Sequence, residues 1–101
     1  MTEITVQEFE ELVLNNTQKV LVDFYADWCG PCKTMLPTYQ SLDEENENVS
    51  FYKVNVEGEG ARDLAANYNV RSIPTALVFN NGEEKTRFVG LKSKEDIQSG
   101  I

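Results

Sequence analysis

Cys29 and Cys32 are the residues of this chain best suited to chemistry, and that chemistry is thiol–disulfide exchange. They are its two cysteines, in the run Cys29-Gly30-Pro31-Cys32, and there is no histidine. The pair sits where an apolar run, Val20 to Ala26, gives way to a helical stretch with Pro31 suited to its first turn. Unpaired N–H groups at a helix N-terminus stabilise a thiolate and lower its pKa. Cys29, at the tip, is the natural nucleophile. Cys32, one turn on, lies on the same side and reaches the first sulfur. Being tethered, it attacks a mixed disulfide at high effective concentration. Two plainer readings stand beside this one. A zinc site takes four ligands, mostly Cys and His, of which the chain offers two. A structural disulfide across so short a loop removes little chain entropy.

Other residues gather around the pair. Asp23 interrupts the apolar run; an unpaired carboxylate there is costly, so desolvation is expected to raise its pKa. An edge or turn-facing aspartate is the plainer alternative. Lys53, in Phe51–Val56, lies on a neighbouring strand, where a solvent-facing lysine is the simple reading. Pro74 opens a strand, an unusual place for proline in the middle of a sheet. Gly90 follows a strand and reads as a turn. Trp28 is as compatible with a core position as with a surface one, and Lys33 is read as solvated.

The elements that must hold these residues can be read along the chain. Thr5 with Glu8 fits a capping box, and Phe9, Leu12 and Val13 make the apolar stripe of a helix that Asn15-Asn16 stops. Val20–Ala26 has the pattern of a strand covered on both faces. The helix after the cysteines runs to about Asn46, with Pro37 inside it as a kink. Phe51–Val56 is a second strand, Glu57–Gly60 a loop, and Ala61–Tyr68 a short helix. Thr75–Phe79 and Lys85–Val89 form a hairpin around Asn80-Asn81-Gly82. Ser93 caps a last helix to about Ser99, anchored by Ile97 and Ile101 and weakened by Gly100. This order predicts an α/β fold, a central mixed β-sheet flanked by α-helices on both faces.

The segment Val22-Asp23-Phe24-Tyr25-Ala26-Asp27-Trp28-Cys29-Gly30-Pro31-Cys32-Lys33 strongly resembles the active-site segment of thioredoxins. Lys53, Ile73-Pro74-Thr75, Asn81-Gly82 and Val89-Gly90 also fall in thioredoxin order and spacing, so the resemblance covers nearly the whole chain. Tyr25 stands where many thioredoxins carry Trp, and the C-terminus is shorter than usual. The resemblance implies a thioredoxin fold and the reduction of protein disulfides through a redox-active Cys29–Cys32 disulfide with no bound cofactor. It also implies recycling by a thioredoxin reductase. Asp23 becomes the buried acid that takes the Cys32 proton, with Lys53 its partner. The Ile73–Pro74 bond is expected to be cis, leaving the Ile73 backbone open to an extended substrate chain. Trp28, Gly30, Pro31, Ile73, Pro74 and Gly90 then form the docking surface, with Gly90 needed small. The Gly30-Pro31 dipeptide resembles that of reducing members.

Composition narrows the classes. The 101 residues, 41% hydrophobic, are the length of a single globular domain spanning 1–101. A net charge of −8 argues against nucleic acid, whose phosphates call for clustered Lys and Arg, and against an anionic membrane surface. No stretch approaches the ~20 apolar residues of a membrane helix, and the N-terminus lacks the pattern of a signal peptide. A cytoplasmic, monomeric protein acting on disulfide-containing proteins is expected, with no metal. An oxidant or isomerase on the same fold, or a binding module whose dithiol is dispensable, are the competing classes.

Overall fold

The Thr5 side chain accepts a hydrogen bond from the Glu8 N–H at 3.3 Å, and the Glu8 carboxylate accepts one from the Thr5 N–H at 2.9 Å. This reciprocal cap starts helix α1 (Val6–Phe9), which loosens into a π-helical stretch, Glu10–Leu14, closed by the Asn15 N–H on the Glu10 carbonyl at 2.9 Å. The computed structural model describes residues 1–101. After α1 come β2 (Lys19–Tyr25), α2 (Gly30–Glu45), β3 (Val49–Asn55) and α3 (Ala61–Asn67). The chain closes with β4 (Thr75–Asn80), β5 (Glu83–Val89) and α4 (Lys94–Gly100). Ahead of them all lies a strand that the sequence pattern does not reveal: β1 (Thr2–Glu3), paired parallel to Tyr52 and Lys53 of β3. Two residues are too few to display alternation.

The sheet order is β1-β3-β2-β4-β5. β2 and β3 run parallel, joined by α2, while β4 is antiparallel to both β2 and β5. Strand periodicity then sorts the core into two layers. Val20, Val22 and Phe24 of β2 pack with Phe9, Val13, Ala61 and Ala65 from α1, its extension and α3. Leu21 packs with Met35, Tyr39 and Leu42 of α2 and Ile97 of α4. Asp23, two residues beyond Leu21, faces the same side. Helices therefore cover both faces, as predicted. The central strand is buried from Val20 to Phe24, which explains its nearly unbroken apolar run.

A hairpin turn and a side-chain clamp hold the layers in register. Asn81 (φ 53°) and Gly82 (φ 77°) both adopt left-handed geometry, the two-residue hairpin turn predicted from their types. Gly82 also lies against Leu14, so closely that a Cβ there would collide with the Leu14 carbonyl oxygen. Gly82→Ala is therefore expected to destabilise the protein by about 3 kcal/mol, combining an unfavourable φ with a backbone clash; thermal unfolding measures it. On β5, Thr86 faces Val78 but Glu84 faces Phe79, so Lys85 is an extra residue, a β-bulge on an edge strand. Two residues on, the Arg87 guanidinium donates to the carbonyls of Tyr68 (2.7 Å) and Asn69 (3.3 Å) while Glu84 grips it at 2.7 and 2.9 Å. That contact fixes the end of α3, from which the chain runs on to Ile73.

Gly100 has a packing role beside its expected weakening of the helix. Its place in the last helix reads as a weakness, yet a Cβ there would stand 2.5 Å from the Phe88 ring. Glycine lets the final turn lie directly on that ring, and Ile97 is fully buried beneath it.

Candidate active site

β2 ends at Tyr25, and the chain turns through Ala26, Asp27 and Trp28 into α2. Cys29 is the N-cap of α2, in extended geometry (φ −85°, ψ 110°), and its sulfur accepts the Cys32 N–H at 3.2 Å. A backbone donor at a helix N-terminus is thus aimed at the Cys29 sulfur, the arrangement that favours a thiolate there when the pair is reduced. Cys29 and Cys32 are joined by a disulfide, with Cα atoms 5.3 Å apart. Both are buried, in a small cluster with Ala26 against which Tyr25, Val56 and Ile73 pack. Gly30 and Pro31 form the first turn of α2 between them.

The two sulfurs have different neighbours. The Ile73 carbonyl oxygen lies 3.9 Å from the Cys29 sulfur. The Ile73–Pro74 bond is cis. Its loop is tied down by the Thr75 hydroxyl donating to the Ser72 carbonyl at 2.7 Å and the Gly90 N–H donating to the Pro74 carbonyl at 2.9 Å. Cys32 instead lines a cleft of about 100 Å³ together with Asp23, Lys33, Leu36 and Lys53. A space of that size holds water.

Asp23 is 1% exposed, and its Oδ1 has no hydrogen-bond partner. Burial pushes its carboxyl up to about 7, against a smaller lowering by the Lys53 charge. The plain alternative of an edge aspartate is excluded by this burial. Lys53 stands beside Asp23 in the β2–β3 register. The expected pairing is not a contact ion pair: Lys53 Nζ lies over the Tyr25 ring, 5.1 Å from its centroid, and acts on Asp23 across the cleft. Tyr25 in turn donates its hydroxyl to Glu3 of β1.

Trp28 is not core. It is 66% exposed, and its indole N–H donates to Glu57 at 2.7 Å. The same carboxylate pairs with Arg62 at 3.3 Å. Trp28, Val56, Arg62, Ala65, Val70 and Ile73 are among the residues lining a groove of about 280 Å³ beside the dithiol. Glu57 is a site residue that sequence reasoning missed: it lies in what reads only as a polar loop, and its bond to Trp28 spans 29 positions of sequence. Gly90 is glycine for its backbone. Its φ is 79°, while a Cβ would meet nothing within 4 Å, so local crowding is not what demands a small residue. Lys33 is exposed, as expected.

A cysteine pair at the junction of a central strand and a helix, on a mixed sheet covered on both faces, defines a dithiol–disulfide oxidoreductase. Comparison with known proteins narrows the class. The Thioredoxin family profile matches residues 1–101. The thioredoxin of Mycoplasma genitalium is 42% identical over 97 residues, covering 96% of this chain and 93% of that one. The thioredoxin of Buchnera aphidicola is 43% identical over 97 residues, covering 95% and 88%. A solved structure from work on the thiol resolving mechanism of yeast mitochondrial 1-Cys peroxiredoxin via glutathione/thioredoxin systems superposes with a TM-score of 0.87 at 30% identity, covering 100% of this chain and 92% of that one. The chain belongs to the thioredoxin family. Its activity is the reduction of protein disulfides through the Cys29–Cys32 dithiol.

Proposed function

We propose that Cys29 is the attacking thiolate and Cys32 the resolving thiol of a cytoplasmic, monomeric reductase that needs no bound cofactor. In the first step the Cys29 thiolate attacks one sulfur of a substrate disulfide; a Cys29–substrate disulfide forms and the other substrate sulfur leaves as a thiolate. The Asp23 carboxylate then takes the Cys32 proton through water in the cleft. The Cys32 thiolate attacks the Cys29 sulfur, the mixed disulfide breaks, and the second substrate sulfur leaves. The substrate has gained two electrons and the protein holds the Cys29–Cys32 disulfide. A thioredoxin reductase returns it to the dithiol. The observation that carries this reading is the division of labour between the sulfurs: Cys29 receives the helix N–H, whereas Cys32 shares the cleft with Asp23.

Trp28, Gly30, Pro31, Ile73, Pro74 and Gly90 form the surface on which the substrate chain docks, its backbone pairing with that of Ile73. Lys53 acts with Asp23 by favouring its ionised form. A dithiol that must be kept reduced suits the cytoplasm, and the net charge of −8 favours a monomer. The test is the reduction potential of the pair, by equilibration with thiol buffers and Trp28 fluorescence. A value near −270 mV, the one known for thioredoxin itself, is expected. A potential more oxidising by about 100 mV would replace the reductase with an oxidant or isomerase.

A further inference from the structure

Asp23 Oδ1 is one of two buried side-chain polar atoms without a hydrogen-bond partner; the other is the hydroxyl of Tyr39. Their residues are 1% and 0% exposed. Buried polar groups are almost always paired, directly or through water. Here one orphan is an acceptor without a donor and the other a donor without an acceptor. They also lie on one side of the sheet. Strand alternation turns Asp23 to the face of Leu21, and α2 lays Tyr39 over that face in the same cluster as Leu21 and Ala76. Ala76 is the residue paired with Asp23 across β4. It offers only a methyl group beside the carboxylate, and the Asp23 charge is felt at the Tyr39 phenol.

We infer that Tyr39 is a positioning residue for disulfide exchange: its hydroxyl donates a hydrogen bond to the Asp23 carboxylate through a bridging water and favours the ionised form of that base. This rests on the reading that Asp23 takes the Cys32 proton. The titratable or charged groups that share the cleft with Asp23 are Lys53 from β3, Lys33 and Cys32 from α2, Tyr25 at the end of β2 and Asp27 just beyond it. β4, β5 and α4 contribute the apolar residues Ala76, Val78, Phe88 and Ile97 to the cluster that holds Tyr39. Burial first, and the Asp23 charge second, hold the Tyr39 phenol well above its ordinary range. Tyr39 therefore remains a donor wherever Asp23 titrates. Like Lys53, it opposes the effect of burial on the carboxylate.

Tyr39→Phe keeps the ring and removes the donor. The ionisation midpoint of Asp23, followed by NMR at its carboxyl carbon, is expected to rise by about one pH unit. Near pH 7 the Cys32 attack on a preformed mixed disulfide is expected to slow about five-fold, approaching the parent rate above about pH 9. Tyr39→Leu, with no hydroxyl and a different shape, is expected to move the midpoint the same way. An unchanged or lowered midpoint overturns the hydrogen bond. A raised midpoint with an unchanged rate profile overturns the positioning role. Asp23→Asn separates the two levels. If it resolves as fast as the parent at every pH, the base itself is wrong; if it is slow while Tyr39→Phe is not, only Tyr39 is.

Discussion

Cys32→Ser is expected to trap the protein on its substrates. Cys29 keeps its position at the helix N-cap and attacks as before, but no tethered thiol remains to break the mixed disulfide. Intramolecular attack gains orders of magnitude over a free thiol in solution, so turnover falls by at least about a thousand-fold. Mass spectrometry of the variant with a disulfide substrate should find one covalent adduct per chain. Cys29→Ser should give no adduct and no turnover. If Cys32→Ser turns over at the parent rate, the two sulfurs have been given the wrong roles.

Asp23→Asn is expected to make the protein more stable and a poorer reductase. The folded carboxyl titrates near 7 against an ordinary value of 3.8. Between those values the folded state holds a proton that the unfolded state has released. Stability therefore falls as pH rises through that window and levels off above it. A displacement of about three pH units is worth up to about 4 kcal/mol. At pH 8 the variant should be more stable by up to that amount; at pH 3 the two proteins should unfold alike. Denaturant unfolding at both pH values measures the difference. Activity should move the opposite way, because Cys32 loses the group that takes its proton. An equal stability gap at both pH values would mean that the substitution repairs packing rather than removing a buried charge.

Much of this site is legible in the order of residues alone. Cys29, Cys32 and Pro31 announce a strand–helix junction because each type has one comfortable place there. Asp23 stands out because a carboxylate inside an apolar run has to be explained. Asn81-Gly82 names its own turn, since few other residues accept left-handed geometry twice in succession. What stays hidden depends on distant contacts. Tyr39 falls in the apolar stripe of α2, where a ring reads as filler; only the neighbouring Ala76 and Asp23, from two other segments, give its hydroxyl a meaning. Glu57 becomes part of the site only when the loop after β3 meets Trp28. Gly100 looks like a defect in a helix until Phe88 is seen against it. The π-helical stretch after α1 has no signature of its own.

The bulge at Lys85 bears on what the sheet refuses to bind. An open sheet has two rims, and each is a ladder of unsatisfied amides inviting another chain. One rim here, β1, is two residues long, too short to template anything. The other, β5, is seven residues long, but Glu83, Glu84, Lys85 and Arg87 stud it with charge and the extra residue interrupts its register. A protein that reduces disulfides in other chains meets those chains at close range. With both rims blunted in this way, such a chain finds little purchase along the sheet's borders, and self-association into ribbons is discouraged even when the protein is abundant.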